Sequence, residues 1–304
     1  MAGSIVPELD DELRRRLGRR YGSEIDAWLD ELPTVLTNLA VHWEVEFNSV
    51  IQRGSMSVVI RCRMVDGRAA VLKVGFDRKR LANEAAALAR WHTVHVPVVL
   101  AVDETVGALL IEAIEPGMPL AEAGFYPSIE SVIGLITSLH DEVLDDRSYP
   151  PVAHRIAHLF DSGLKNYERE PQLVEVVPPD LYERGHQLAM RLAEDAPATV
   201  LLHGDLTPAN VLDGGEERGL VAIDPSPCSG DSAFDAIDLV MWQAADPDTI
   251  ATRAEQLAPA IGADPERLMD WCTAFAAMNA LELAEAPGSS HEQVEFLVGL
   301  ASRL

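Results

Sequence analysis

Three cysteines in 304 residues, Cys62, Cys228 and Cys272, are too few and too scattered for a disulfide framework, and no Cys-x-x-Cys pair offers a zinc site. A reducing compartment, the cytoplasm, is expected. No apolar run approaches the length needed to cross a bilayer, and the first residues through Asp11 are acidic rather than apolar, so neither secretion nor membrane insertion is expected. Positive charge is scarce. Against 49 Asp and Glu stand 24 Lys and Arg, a formal net charge of −25 at pH 7, which opposes nucleic acid and anionic membranes and favours cationic small molecules. The same surplus also serves solubility alone. Neither a P-loop nor a Gly-x-Gly-x-x-Gly fingerprint occurs, there is no internal repeat, and nothing marks an obligate protein partner. With 48% hydrophobic residues, the chain can build a sizeable core in one large domain or two lobes.

What is present concentrates between residues 200 and 224. An apolar triplet, Val200 to Leu202, delivers His203 and Asp205 into a turn stiffened by Pro208; Asn210 follows. A hairpin is expected at Gly214-Gly215, and a second apolar run, Leu220 to Ile223, ends in Asp224. Phosphoryl transfer from a nucleotide needs a carboxylate to take the hydroxyl proton, and a carboxylate with an amide oxygen to hold Mg²⁺ against the phosphates. Asp205, Asp224 and Asn210 supply that set at the Asp-x-x-x-x-Asn spacing. Asp, Asn and Pro also make ordinary turns. The composite, with His203 and a strand-end Asp224, is rarer than any turn signal and favours chemistry.

Upstream, residues 8 to 47 read as helical, with Leu9, Leu13 and Leu17 at helical spacing, a break expected at Pro33 and a third helix near Val35 to Ala40. Arg14 to Arg16, Arg19 and Arg20 form a solvated helix face. From Trp43 the pattern turns to strands, with Asp66-Gly67 as a hairpin signal. The turn Gly54-Ser55-Met56-Ser57 lies where a nucleotide-covering loop would sit, so Ser55 and Ser57 are candidate phosphate contacts, against an ordinary hairpin. Lys73 is embedded in an apolar strand and must find a counter-charge. Glu84 on the following helix can provide it, placing the ammonium for phosphates; the alternative is a lysine reaching out to water. A Pro-Gly pair at 116 and 117 closes the strand-rich region, and the preceding connector offers backbone groups near Glu112 and Ile114 to an adenine edge.

Beyond the connector the chain reads as mostly helical. His154 and His158 stand four apart without a third ligand and are expected at the surface. His140 reads as structural, and Asp231 and Asp235 as scaffolding for the catalytic loop, Asp235 by capping a helix start. The C-terminal helices are expected to shape an acceptor pocket.

The residues His203 to Asn210, then Ile223-Asp224-Pro225, then Gly230 to Asp235, resemble the aminoglycoside phosphotransferase family. The segments Ala27-Trp28-Leu29, Leu32-Pro33 and Leu109 to Glu112 resemble its branch of streptomycin 6-kinase and hydroxyurea-resistance kinases. That resemblance implies an α+β, two-lobed, protein-kinase-like fold: a small antiparallel sheet lobe over 1–113 and a mostly helical lobe over 114–304. It also implies ATP and Mg²⁺, with Asp205 as catalytic base, Asn210 and Asp224 on the metal, and Lys73 with Glu84 on the phosphates. Thr207 and Ala209 depart from the family's histidine and glycine and change the loop's lining. Only 11 positions separate Asp224 from Asp235, too few for a phosphorylatable activation loop, and Gly204 stands where an arginine would read one, so the acceptor should be small. The expectation is an O-phosphotransferase acting on a small-molecule hydroxyl, best a streptomycin-like aminoglycoside and so inactivating an antibiotic. Hydroxyurea or a sugar or other metabolite is the rival acceptor. A non-catalytic nucleotide-binding regulator is the rival of another class.

Overall fold

The structure, a computed structural model, describes residues 6–52, 56–141, 149–286 and 290–303. It divides after Gly117 into two compact units, against the break expected after Ala113. In the first, α1 (Asp11–Tyr21) is capped by the Asp10 carboxylate, which accepts from the Leu13 N–H. Asp11 and Glu12 in its first turn and Arg19 and Arg20 in its last complement the helix dipole.

A second helix, α2 (Glu24–His42), runs straight through Pro33, so two helices stand where the sequence suggested three. An interior proline costs roughly 3 kcal/mol. Ile25, Leu29, Leu32, Leu36 and Leu39 are all buried along one face of that helix, and each fully buried side chain contributes about 1.5–3 kcal/mol. Burial outweighs the breaker.

The strands β1 (Val45–Val50), β2 (Ser57–Met64) and β3 (Ala69–Gly75) are followed by α3 (Arg78–Arg90), β4 (Val99–Asp103) and β5 (Ala108–Glu112). They form one five-stranded sheet in the order β1-β2-β3-β5-β4, antiparallel at every pairing. The expected turn at Asp66-Gly67 is present, with Gly67 at φ 89°. Alternation sorts the faces. Val58, Ile60, Cys62, Ala70, Leu72, Val74, Ala108 and Leu110 join the buried cluster with α1 and α2, which leaves Lys73 on the opposite face.

In the second unit, α4 (Leu120–Ala123), α5 (Ile129–Leu139), α6 (Val152–Arg169) and α7 (Pro179–Glu194) precede β6 (Val200–Leu202) and β7 (Val211–Asp213). Next come α8 (Gly215–Arg218), β8 (Leu220–Ala222), β9 (Cys228–Gly230), α9 (Ile237–Met241), α10 (Pro247–Leu257), α11 (Pro265–Glu285) and α12 (His291–Ala301). Two short ladders, β6 with β9 and β7 with β8, are set among the helices. The hairpin expected at Gly214-Gly215 is present as the antiparallel pair β7–β8, and its connection is the single turn α8. Gly215 N–H is fixed by the Asp213 carboxylate, and the link closes only when Gly214 N–H meets the Gly219 carbonyl. Helix α11 is the hub, with Leu268, Trp271, Cys272, Phe275, Met278 and Leu281 all buried.

Candidate active site

In the sheet unit, Lys73 is 2% exposed and Glu84 fully buried, and they form an ion pair between β3 and α3. The ammonium is not reaching for water; the apolar strand holds it against a carboxylate on the next helix, whose start is capped by Asp77. Ser57, the first residue of β2, is buried and pairs with Gly75. Ser55 lies outside the described residues. The Glu112 N–H donates to the Val98 carbonyl at 2.9 Å and its carboxylate accepts from the Val98 N–H at 3.2 Å, so it ties β5 to the segment before β4. Ile114 is buried two residues on.

In the helical unit, the pairing of Val211 with Ala222 dictates the rest. One step further along that ladder, Ile223 N–H donates to the Asn210 carbonyl at 2.9 Å, which sets Asn210 opposite Ile223 with Asp224 next in the chain. Asp224 stands at φ 59°, a left-handed conformation that costs a non-glycine residue on the order of 1–3 kcal/mol and clusters at functional sites. The Asn210 amide nitrogen donates to the Asp205 backbone carbonyl (2.9 Å) and to its Oδ2 (3.1 Å). That spends the amide's donor side and turns its oxygen acceptor to the other side. Asp205, Asn210 and Asp224 are all half-buried, reachable from solvent.

His203 sits beneath them, fully buried. Its Nδ1 accepts the Asp205 N–H (3.3 Å) and its Nε2 donates to the Ile223 carbonyl (3.0 Å), so the ring is the neutral tautomer with its proton on Nε2. Burial lowers its pKa, outweighing the nearby carboxylates of Asp235, Asp205 and Asp224. The loop is braced from below by Asp235, whose two oxygens accept the N–H groups of His203 (2.7 Å) and Gly204 (2.9 Å). His140 adds a third donor at 3.0 Å. Burial alone would raise the Asp235 pKa, but the hydrogen bond and charge of His140, with the Gly204 N–H, prevail and hold it below the usual carboxylate value. Asp235 is therefore scaffolding, as expected, but by gripping the loop's amides rather than by capping a helix.

Gly204, at φ 74°, has no room for a side chain: a Cβ would lie 2.1 Å from the Ser226 carbonyl oxygen. His154 and His158 are exposed. Asp231 caps the turn Ser232–Ala236 and binds Arg267 (2.6 Å) and Trp271 (2.8 Å) of α11.

Sequence reasoning missed Arg155. On α6, its Nε donates to the Gly204 carbonyl (2.8 Å) and its Nη2 to Asp205 Oδ1 (2.7 Å). One signal was available: position 155 flanks the buried stripe Val152, Ile156 and Phe160, so it faces protein on at least one side. Also missed were Asp238 on α9 and Glu282 on α11. Burial, then Glu282, then Asp205 push the Asp238 carboxyl up to about 7. Glu282 reaches water yet is crowded by protein, and desolvation followed by Asp205 and Glu285 raises it too.

The donors at Asn210 and Asp224 suit a hard divalent cation, which prefers oxygen and is commonly held by one or two side chains plus substrate phosphates. Among the described residues no group of three or more His, Cys, Asp or Glu side chains forms a metal cage.

An antiparallel sheet unit with a buried lysine-glutamate pair, joined to a helical unit with this loop, is the architecture of a small-molecule kinase of protein-kinase-like fold. Solved structures agree on the fold. A choline kinase from Streptococcus pneumoniae superposes with a TM-score of 0.60 at 13% identity, covering 90% of this chain and all of that one. A macrolide 2′-phosphotransferase from Brachybacterium faecium superposes with a TM-score of 0.52 at 18% identity, covering 90% and 99%. More narrowly, residues 42–286 match the family described as aminoglycoside/hydroxyurea antibiotic resistance kinase, and the chain belongs to that family. The streptomycin 6-kinase of Streptomyces glaucescens is 26% identical over 298 residues, 92% of each chain. The hydroxyurea phosphotransferase of Kitasatospora aureofaciens is 26% identical over 290 residues, 89% of this chain and 77% of that one. The protein is thus an ATP-dependent phosphotransferase acting on a hydroxyl group. Among the described residues no helix is long and apolar enough to cross a membrane.

Proposed function

We propose that this kinase transfers the γ-phosphoryl group of ATP to a hydroxyl of a cationic aminoglycoside of the streptomycin type, and so inactivates it, in the cytoplasm. Asp205 orients the acceptor hydroxyl and takes its proton as the oxygen–phosphorus bond forms. Asn210 and Asp224 hold Mg²⁺, which when bound neutralises charge on the phosphates. Lys73, positioned by Glu84, holds phosphate oxygens, with Ser55 and Ser57 as further phosphate contacts and the backbone near Glu112 and Ile114 meeting the nucleobase. Rate then comes from positioning and fixed charge rather than from a covalent intermediate.

The assignment rests on the meeting of Asp205, Asn210 and Asp224 at the open end of the β7–β8 ladder, with Asp205 accessible to solvent. For the acceptor, Asp238 and Glu282 put negative charge within electrostatic reach of Asp205. Carboxylates in that place favour guanidinium or ammonium groups through charge-assisted hydrogen bonds, and give a neutral acceptor such as hydroxyurea less to hold. The net charge of −25 gives nucleic acid no footing as a partner.

The test is ATP consumption against a panel of aminoglycosides, sugars and hydroxyurea, with Asp205→Ala as control. Streptomycin-dependent turnover that disappears in the variant is the expected result. Turnover with hydroxyurea or a sugar alone moves the acceptor assignment. Nucleotide binding without turnover on any acceptor returns the protein to a regulator.

A further inference from the structure

Between Leu192 and Thr252, the stretch that carries the whole catalytic loop and the metal-side aspartate, the sole Lys or Arg is Arg218 on α8. Over the same stretch stand Asp205, Asp224, Asp231, Asp235 and Asp238. Positive charge and donors must therefore be brought in from other helices. Arg267 of α11 reaches Asp231, and His140 at the end of α5 reaches Asp235, the two carboxylates being at most 1% exposed. Arg155 does this for Asp205. The pair is partly open, with the arginine side chain 17% and the carboxylate 30% exposed.

We propose that Arg155 is a positioning residue for phosphoryl transfer, anchored through Nε on the Gly204 carbonyl so that Nη2 fixes the orientation of the Asp205 carboxylate and supplies its counter-charge. This rests on Asp205 being the base. A carboxylate is free to rotate about its last bond, and a base that rotates presents its lone pairs to the acceptor only part of the time. Here Oδ1 is held by Arg155 and Oδ2 by the Asn210 amide. The guanidinium cannot swing with the carboxylate, because its other nitrogen is fastened to backbone one residue earlier in the loop. Two donors in a rigid fork do this; an ammonium offers the charge without the fork.

The test compares Arg155→Ala, Arg155→Gln and Arg155→Lys with the intact protein, using streptomycin as acceptor at saturating Mg·ATP. Arg155→Ala is expected to lose kcat by about 10²-fold, with KM for ATP unchanged. Arg155→Lys should recover part of that loss and Arg155→Gln less. Millimolar guanidinium ion should raise the rate of Arg155→Ala and leave the intact protein and Asp205→Ala where they were. A kcat within twofold of the intact protein overturns the proposal. So does a loss that guanidinium fails to restore and that runs parallel with weaker ATP binding and a lower melting temperature, since that pattern belongs to a helix-packing role. If the intact protein leaves streptomycin untouched, the acceptor assignment fails separately. The same series is then read on the acceptor it does use or on slow ATP hydrolysis by water, where equal rates in the intact protein and Arg155→Ala overturn the proposal.

Discussion

Two charge pairs, one in each unit, show opposite solutions to keeping an ion inside a protein. Lys73–Glu84 is sealed, with both side chains at 2% exposure or less, and Arg155–Asp205 is left ajar at 17% and 30%. A sealed pair fixes where a charge stands, while a group that must exchange a proton with an incoming hydroxyl has to remain within reach. On the proposed roles, burial depth separates a charge that holds from a charge that reacts.

The largest expected effect breaks the reactive member. Asp205→Ala should lower acceptor-dependent turnover by about 10³-fold or more while nucleotide binding, followed by titration, is retained. Next is the sealed pair. Lys73→Met removes the ammonium from beside the buried Glu84 carboxylate and should cost about 3–5 kcal/mol of stability in thermal melting. The double variant Lys73→Met with Glu84→Leu should regain most of that stability and none of the activity, which would separate holding from stabilising.

Asp235 sharpens the comparison, being a sealed carboxylate that grips backbone rather than a cation. Asp235→Asn should cost about 2 kcal/mol near neutral pH, measured by melting. Because the Asp235 pKa lies below its unfolded value, its contribution is complete above about pH 4 and fades as pH falls through the folded value. The variant's deficit should therefore narrow in acid.

The smallest effect has the opposite sign. Asp238 is raised to about 7, so between about pH 4 and 7 the folded protein binds more protons there than the unfolded chain, and stability declines as pH climbs through that window. Asp238→Asn should melt about 2 °C higher at pH 8, with no difference near pH 4. The same change should raise the KM of a cationic acceptor about tenfold above pH 7 and little at pH 5.5, read from initial rates.

What could be read in advance was local. The loop from His203 to Asp224 is written in consecutive residues, and Lys73 and Glu84 lie on adjacent elements 11 positions apart. Strand alternation after Trp43 and the Asp66-Gly67 turn gave the sheet. Arg155 carried only the weak signal of flanking an apolar stripe, because its partner is 50 positions away and a helical arginine beside two histidines looks like any solvated face. Asp238 and Glu282 were hidden likewise, since burial rather than residue type makes them unusual. Pro33 misled because propensity was weighed without the apolar stripe that overrides it, whereas the hairpin read at Gly214-Gly215 is there, with Glu216, Glu217 and Arg218 lengthening its turn.

The Ser226 carbonyl that fills the space beside Gly204 has a consequence for control. With backbone wedged into that spot, position 204 has no room for the arginine that would read a phosphate mark placed elsewhere on the chain.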